Sequence, residues 1–329
     1  MYNNELITFS PKQVGDMTVS LVEELKKNPN SGIRAGIQEL DKYMLPMRPG
    51  DMVMVIGRPS NFKTGLALSI AKSQCDAIKV RGEKDSVVVY ATWETAVEES
   101  GLIDLTSGNG LNRTSILRGI INDEDMEILK DSAILRTKEP MWIVGHSIAH
   151  RKERPNLDIA SIVDAMGHIE EQGKEIKLII IDYLQLVQAR GFSSDKGARV
   201  AHVVQECKNM ALRYACPILV LCQAKREVDL REFRLPRYGD GMWTSEIEHA
   251  ADKILTVWMP KTSIPQGIDV PLLKADFLTK SEPNLLFIAM DKQRWGEAQN
   301  IIKAEIDFDT YRIKNSEDYT RALVVGIGG

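Results

Sequence analysis

Residues 52–71 read MVMVIGRPSNFKTGLALSIA, and the interpretation of this stretch decides the rest of the chain. An apolar run, Met52-Val53-Met54-Val55-Ile56, breaks at Gly57, crosses a turn-rich loop, and restarts at Leu66-Ala67-Leu68-Ser69-Ile70-Ala71. Continuous apolar character over a strand's length indicates a strand buried on both faces. The spacing from Gly57 to Lys63 and Thr64 fits G-x-x-x-x-G-K-[ST], with one departure: Phe62 stands where the second glycine belongs. In such a loop successive backbone N–H groups and a helix N-terminus form an anion cradle. The expected cradle is Gly57, Arg58, Pro59, Ser60, Asn61, Phe62, Lys63, Thr64 and Gly65. Lys63 would reach the outer phosphates of a bound nucleotide, and the Thr64 hydroxyl would ligate Mg²⁺. The competing reading is an ordinary strand–turn–helix with a capping threonine. Strand, loop length, Lys-Thr pair and helix together favour the nucleotide.

A length of 329 residues allows one large α/β domain or two small ones. With 43% hydrophobic and 27% charged residues the composition supports a full core. The net charge of -4 argues against a protein that coats nucleic acid by charge alone, and leaves room for a local basic channel. Cys75, Cys207, Cys216 and Cys222 form no C-x-x-C pair and read as reduced core or surface thiols of a cytoplasmic protein. No stretch has the apolar length of a membrane span, and the N-terminus lacks a signal peptide's basic start and apolar core.

Along the chain, residues 1–10 form a loose arm, and Pro11 opens an amphipathic helix to about Asn28. Val14, Met17 or Thr18, Leu21 and Leu25 share one face. The breaker Asn28-Pro29-Asn30-Ser31-Gly32 detaches this helix, so it packs either on its own domain or on a neighbour's. Strands are expected at 87–91, 141–144, 178–186, 217–223, 253–259, 285–290 and 301–308. Helices fall between them, notably after Glu94, over 112–138 with an interruption at Gly119, over 158–171, and from Arg199 to Tyr214. A short helix is expected over 245–251, and 224–244 is long, charged and irregular, as functional loops are. His146 and His150 have an i,i+4 metal spacing but no further ligand, and carry no metal site. Alternating apolar strands and helices indicate an α/β fold, a mostly parallel sheet covered on both faces. Its chemistry belongs at the carboxyl ends of the strands. Lys63-Thr64, Glu94, Asp182, Gln223, Lys292 and Arg294 are expected to collect there.

The order GRPSNFKT, Glu94, IIIDYLQLV, CQAKR, SEIEHAAD and DKQRWG resembles the C-terminal motor domain of DnaB-type replicative helicases. The resemblance covers residues 30–315, and implies a RecA-like P-loop ATPase core over 31–315, with a linker helix within 1–30 and a tail at 316–329. By the resemblance, the sequence is expected to start at the linker, without a counterpart of the family's separate N-terminal helical domain. The resemblance implies a hexameric ring that hydrolyses ATP with Mg²⁺ and moves 5′→3′ along single-stranded DNA. Primase or a helicase loader would be partners, and the setting would be the cytoplasm of a bacterium or of a phage's host.

Residue by residue, the resemblance implies that Lys63 holds the β- and γ-phosphates, and that Thr64 and Asp182 hold Mg²⁺. Glu94 would polarise the attacking water; its alternative is an acid in a helix's first turn. Gln223 would sense the γ-phosphate, or is simply a polar strand end. Lys292 and Arg294 would reach the neighbouring subunit's ATP, or are solvated cations. The DNA loop would be residues 236–245, with Arg237, Gly241, Met242, Trp243 and Thr244. It departs from the family's pattern, since the expected arginine-glutamate pair near Met242-Trp243 is missing. Phosphate contacts would instead come from backbone amides, from Arg237, or from Lys196 and Arg199, and Trp243 is either a base-stacking platform or an interface or core residue. Two further readings are a ring ATPase that binds DNA without unwinding it and, because of Phe62, a slow or non-hydrolysing nucleotide-binding scaffold.

Overall fold

A computed structural model describes residues 8–27, 32–149, 158–189, 191, 195–241, 248–270, 279–298 and 300–315. The sequence expectations for residues 1–7, 28–31, His150, Met242, Trp243, Thr244 and 316–329 lie outside the described residues, as does the first half of the helix expected over 245–251.

In chain order the elements are α1 (Pro11–Lys27), α2 (Gln38–Asp41), β1 (Met52–Gly57), α3 (Lys63–Arg81), β2 (Ser86–Thr92), α4 (Val97–Leu105), α5 (Arg113–Leu117), α6 (Asp123–Arg136) and β3 (Met141–Val144). There follow α7 (Ile159–Glu171), β4 (Glu175–Asp182), α8 (Lys196–Arg213), β5 (Ile218–Gln223), β6 (Lys253–Trp258), β7 (Leu285–Gln293), β8 (Asn300–Asp307) and β9 (Arg312–Ile313). The strands form one sheet in the order β3-β2-β4-β5-β1-β6-β7-β8-β9. The first six in that order run parallel, whereas β7, β8 and β9 join antiparallel.

Alternate residues of a strand face opposite sides. Met52, Met54 and Ile56 of β1 therefore enter one apolar layer, beneath α7 and α8. Val53 and Val55 enter the other, beneath α3 and the segment around Ile37 and Met47. Both faces being covered is why β1 reads as an unbroken apolar run. α3 is buried along most of its length and ends at Gly82. There a left-handed φ of 69° lets the Gly82 N–H reach the carbonyls of Ile78 and Lys79.

Several boundaries differ from the sequence expectation for identifiable reasons. β4 stops at Asp182 and a 3-10 turn, Leu184–Leu186, replaces the strand's continuation. α8 starts three residues earlier than Arg199, because Asp195 caps it by accepting from the Ala198 N–H at 3.0 Å. Glu94 precedes α4, whose first-turn acids are Glu98 and Glu99, so the helix-dipole account of Glu94 does not apply. α1 forms as expected but has no buried residue, with Val14, Met17 and Leu21 all exposed. All four cysteines are buried and none forms a disulfide, and burial pushes the Cys75 and Cys216 thiols up to about 12, as befits core residues. No described helix is long and apolar enough to cross a membrane.

Candidate active site

The register of the parallel strands brings the site together. Gly57 pairs with Gln223, and Thr92 with Asp182, so the ends of β1, β2, β4 and β5 share one edge. Thr64, on the first turn of α3, donates its hydroxyl to Asp182 Oδ2 at 2.7 Å. Tyr90 donates to the same oxygen at 2.6 Å. Asp182 is 2% exposed. Burial raises its pKa, and the two hydroxyls and then Lys63 oppose that rise. Lys63 Nζ donates to the carbonyl of Arg58 at 3.0 Å. Its pKa is lowered by burial, against the pull of Asp182 and Glu94. Glu94, two residues past Thr92, sits at the rim of the same cleft. Its carboxyl is held above the usual range by desolvation and then by Asp182, with Lys63 opposing.

This donor set fits a hard divalent cation. A threonine hydroxyl and a carboxylate converge beside a phosphate loop, the pairing through which Mg²⁺ is held with its water and a substrate's phosphates. Among the described residues no cluster of three or more His, Cys, Asp or Glu offers an all-protein cage, His146 included.

The loop itself is strained where the sequence departs from the pattern. Ser60 and Phe62 both adopt φ of 61°, a left-handed conformation that costs an L-residue roughly 1–2 kcal/mol. Phe62 recovers this by burial; its ring is 8% exposed and lies in the apolar layer under α3. Burying a phenylalanine contributes roughly 1.5–3 kcal/mol, enough to offset the backbone cost.

Three residues at this edge escaped the sequence reading. Tyr90 holds Asp182, as described. Gln185 zips onto the end of β5: its Oε1 accepts from the Gln223 N–H at 3.1 Å, and its Nε2 donates to the Gln223 carbonyl at 3.3 Å. Asp229 accepts Arg58 Nε at 3.0 Å while Arg58 Nη1 donates to the Ala224 carbonyl at 3.0 Å, tying the phosphate loop to the segment after β5. Contacts spanning 38 and 171 positions leave no local signal.

Lys292 and Arg294 are not at this edge. β7 is antiparallel to β6, so its carboxyl end lies beside the start of β6, where Lys253 pairs with Gln293 and, across β6, with Val53. Four residue steps of β1, from Val53 to Gly57, separate that point from the phosphate edge, roughly 13 Å at a strand's rise per residue. There Arg294 Nη1 donates to Asp252 Oδ1 at 3.0 Å, and Lys208 Nζ to Asp252 Oδ2 at 2.6 Å. Lys292 Nζ donates to the carbonyls of Ala251, at 2.7 Å, and Glu248. Neither cation is merely solvated.

Of the described DNA-loop candidates, Arg237 and Lys196 are exposed, and Gly241 bridges to Ala224. Arg199 is engaged within the chain, donating to Gln188 Oε1 at 2.9 Å and to the Gln185 carbonyl at 3.4 Å, so it is not a freely available phosphate contact.

Comparison with known proteins agrees with this geometry. The sequence model of the DnaB-like helicase C-terminal domain matches residues 32–313. The chain is 24% identical over 302 residues to the replicative DNA helicase DnaB of Rickettsia bellii, covering 88% of this chain and 59% of that protein. It is 25% identical over 250 residues to the DnaB of Buchnera aphidicola subsp. Schizaphis graminum, covering 75% and 51% respectively. The chain thus spans about half to three-fifths of the length of these relatives. Among solved structures, one that consists of an ATPase domain superimposes with a TM-score of 0.74 at 19% identity, covering 94% of this chain and 100% of that one. A DnaB-like replicative helicase, studied with its interactions with primase, gives 0.72 at 19%, covering 96% and 69%. These structural likenesses show the fold, a RecA-like core.

Proposed function

The chain belongs to the DnaB-like helicase C-terminal domain family, and from that premise we propose that it is the motor of a hexameric ring that hydrolyses ATP and moves along single-stranded DNA, unwinding duplex 5′→3′. The observation that carries the reading is the convergence of Lys63, Thr64, Asp182 and Glu94 at one sheet edge, with Thr64 and Asp182 Oδ2 2.7 Å apart. The amides around residues 57–65 cradle the phosphates of ATP, and the Lys63 ammonium turns from the Arg58 carbonyl to the β- and γ-phosphates. Thr64 and Asp182 would hold Mg²⁺, which when bound would neutralise charge on the phosphate oxygens. Glu94 orients a water toward the γ-phosphorus and accepts its proton as the bond to the β–γ bridging oxygen breaks. Gln223 meets the γ-phosphate, and its contact with Gln185 extends the consequence to the turn after β4.

Arg294 supports a shared site. In its own chain it lies at the opposite edge from Lys63, beyond the reach of one side chain, so any phosphate it serves belongs to another copy. α1, with an apolar face and no buried residue, fits the role of a linker packed on a neighbouring subunit. Single-stranded DNA passes the ring's centre near Arg237, Gly241 and Lys196, with the few phosphate contacts per subunit that a net charge of -4 suggests. Primase or a loader docks on such a ring in the cytoplasm of a bacterium or a phage-infected cell. Strand displacement with ATP on duplexes carrying a 5′ or a 3′ tail tests the reading. Unwinding from the 5′ tail is expected. Bound DNA and ATP turnover without displacement would leave a ring ATPase that does not unwind, and no turnover with DNA present would leave a nucleotide-binding scaffold.

A further inference from the structure

Gly65 is not a glycine position of the phosphate-loop pattern, and glycine in the first turn of a buried helix is a poor choice on helix propensity. Its neighbour explains it. A Cβ built on Gly65 would lie 2.3 Å from Phe62 Cε2 and Cζ and 2.6 Å from Cε1, closer than any packed side chain allows. The Phe62 ring therefore lies directly on the bare face of Gly65. It also packs on Tyr311, whose ring centroid is 5.1 Å away, and on the edge of Phe308 at 6.4 Å. The turn between β8 and β9 that carries both rings is itself tied down. The Ser107 hydroxyl donates to the Thr310 carbonyl, Arg113 Nη2 donates to the Phe308 carbonyl at 3.0 Å, and the Arg113 guanidinium covers the Tyr311 ring at 4.7 Å.

We infer that the glycine requirement of the phosphate loop has moved from position 62 to position 65, and that Phe62, seated on Gly65 and backed by Tyr311, is a positioning residue that holds the loop amides for the phosphates. The inference rests on the nucleotide reading above. The left-handed φ of 61° at Phe62 aims the N–H groups of the following turn, including those of Lys63 and Thr64. In the ordinary pattern glycine adopts that conformation without cost. Here a bulky residue is kept in it by its ring's seat. A methyl group at 65 would displace the ring, and because backbone and ring move together, Lys63 and Thr64 would be displaced with it. Two combinations are compatible with an open cradle: an aromatic at 62 over glycine at 65, or glycine at 62 with a side chain at 65.

The test compares Gly65→Ala, Phe62→Gly, the double variant, Tyr311→Ala and Tyr311→Phe by thermal midpoint without nucleotide and by equilibrium binding of a fluorescent ADP analogue to folded protein. Gly65→Ala is expected to melt lower and to bind about tenfold or more weakly, the factor that overpacking strain of this kind carries. The double variant, relieved of the clash, should bind within about threefold of Phe62→Gly. Tyr311→Phe should match the wild type and Tyr311→Ala should bind more weakly. Gly65→Ala behaving as wild type, or a double variant no better than Gly65→Ala alone, overturns the proposal. Wild-type protein that binds no nucleotide would sink the nucleotide reading instead. The coupling of 62 and 65 is then decided by the melting cycle, where additive shifts refute it and non-additive ones sustain it.

Discussion

The two ends of the central sheet carry opposite imbalances of charge. At the carboxyl ends of β2 and β4, Glu94 and Asp182 face a single lysine, Lys63, and both acids have raised pKa values. At the other end one buried carboxylate, Asp252, accepts from both Lys208 and Arg294, with Lys292 close enough that Arg294 helps lower its pKa, after desolvation. One edge is built to receive a cation and a polyphosphate. The other gathers Lys208, Lys253, Lys292 and Arg294 around the carboxylates of Asp252 and Asp51. Under the proposed function, a sheet with these two edges is incomplete as a catalyst alone, and would become complete where the cationic edge of one copy meets the phosphate edge of the next. This is the physical content of a ring requirement, and substitutions can break it from either side.

The largest effect is expected at the phosphate edge. Lys63→Ala removes the ammonium that the proposed function sets against the outer phosphates. ATP turnover should fall about 100-fold or more, measured as phosphate release with single-stranded DNA present. Unchanged hydrolysis would remove the phosphate-loop assignment altogether. Arg294→Ala attacks the opposite edge and should separate binding from chemistry. Equilibrium binding of ATP stays near the wild-type value, while turnover drops roughly 10³-fold, the lower range for an arginine supplied in trans. Mixing Arg294→Ala subunits with Glu94→Ala subunits should restore some activity, because a fraction of interfaces then pairs an intact Glu94 with an intact Arg294. Mixtures as inactive as their components would refute action across an interface.

The acids at the phosphate edge give a pH signature. Glu94 must be charged to accept a proton, and its pKa lies above the ordinary glutamate range because of desolvation and Asp182. Protonation therefore sets in at a higher pH than for a solvated glutamate, and the acid limb of the turnover profile moves upward accordingly. Glu94→Gln should lower turnover about 10²-fold or more and flatten that limb. A limb that persists in the glutamine variant would assign it to another group.

How far this contrast was legible in the sequence depended on whether the signal was local. The strand, loop and helix of residues 52–71 were readable because apolar run, turn residues and Lys-Thr follow one another directly. Asp182 and Gln223 were readable because an acid or amide ending an apolar strand has few structural reasons to be there. The direction of β7 was not readable. A buried strand's apolar pattern is the same whichever way it runs, so Lys292 and Arg294 were placed at the wrong end of the sheet. Gln185, Asp229 and Asp252 act through partners distant in sequence. Gly65 was read as part of the cradle, but its role as the seat of the Phe62 ring was not legible, because a glycine in a helix carries no pattern until the ring that occupies its missing side chain is seen.

The smallest expected effect on the chemistry, and the one that isolates the ring from the site, is removal of residues 1–28. α1 contributes no group to either edge and buries no residue of its own, so the sheet and the phosphate loop should fold unchanged without it. Its exposed Val14, Met17 and Leu21 lie on one side of a detached helix, where a docked neighbour would cover them. Without that cover the contact joining subunits weakens, and light scattering should show the assembly dissociating at concentrations where the whole chain stays associated. Nucleotide binding, a property of one chain's phosphate edge, should change little. Turnover, which on the proposed reading needs the next chain's Arg294, should become dependent on protein concentration and recover toward the whole-chain value as concentration rises. A truncated chain that assembles as tightly as the whole one would mean that α1 contributes nothing across the interface, and that the two edges are brought together by the core surfaces alone.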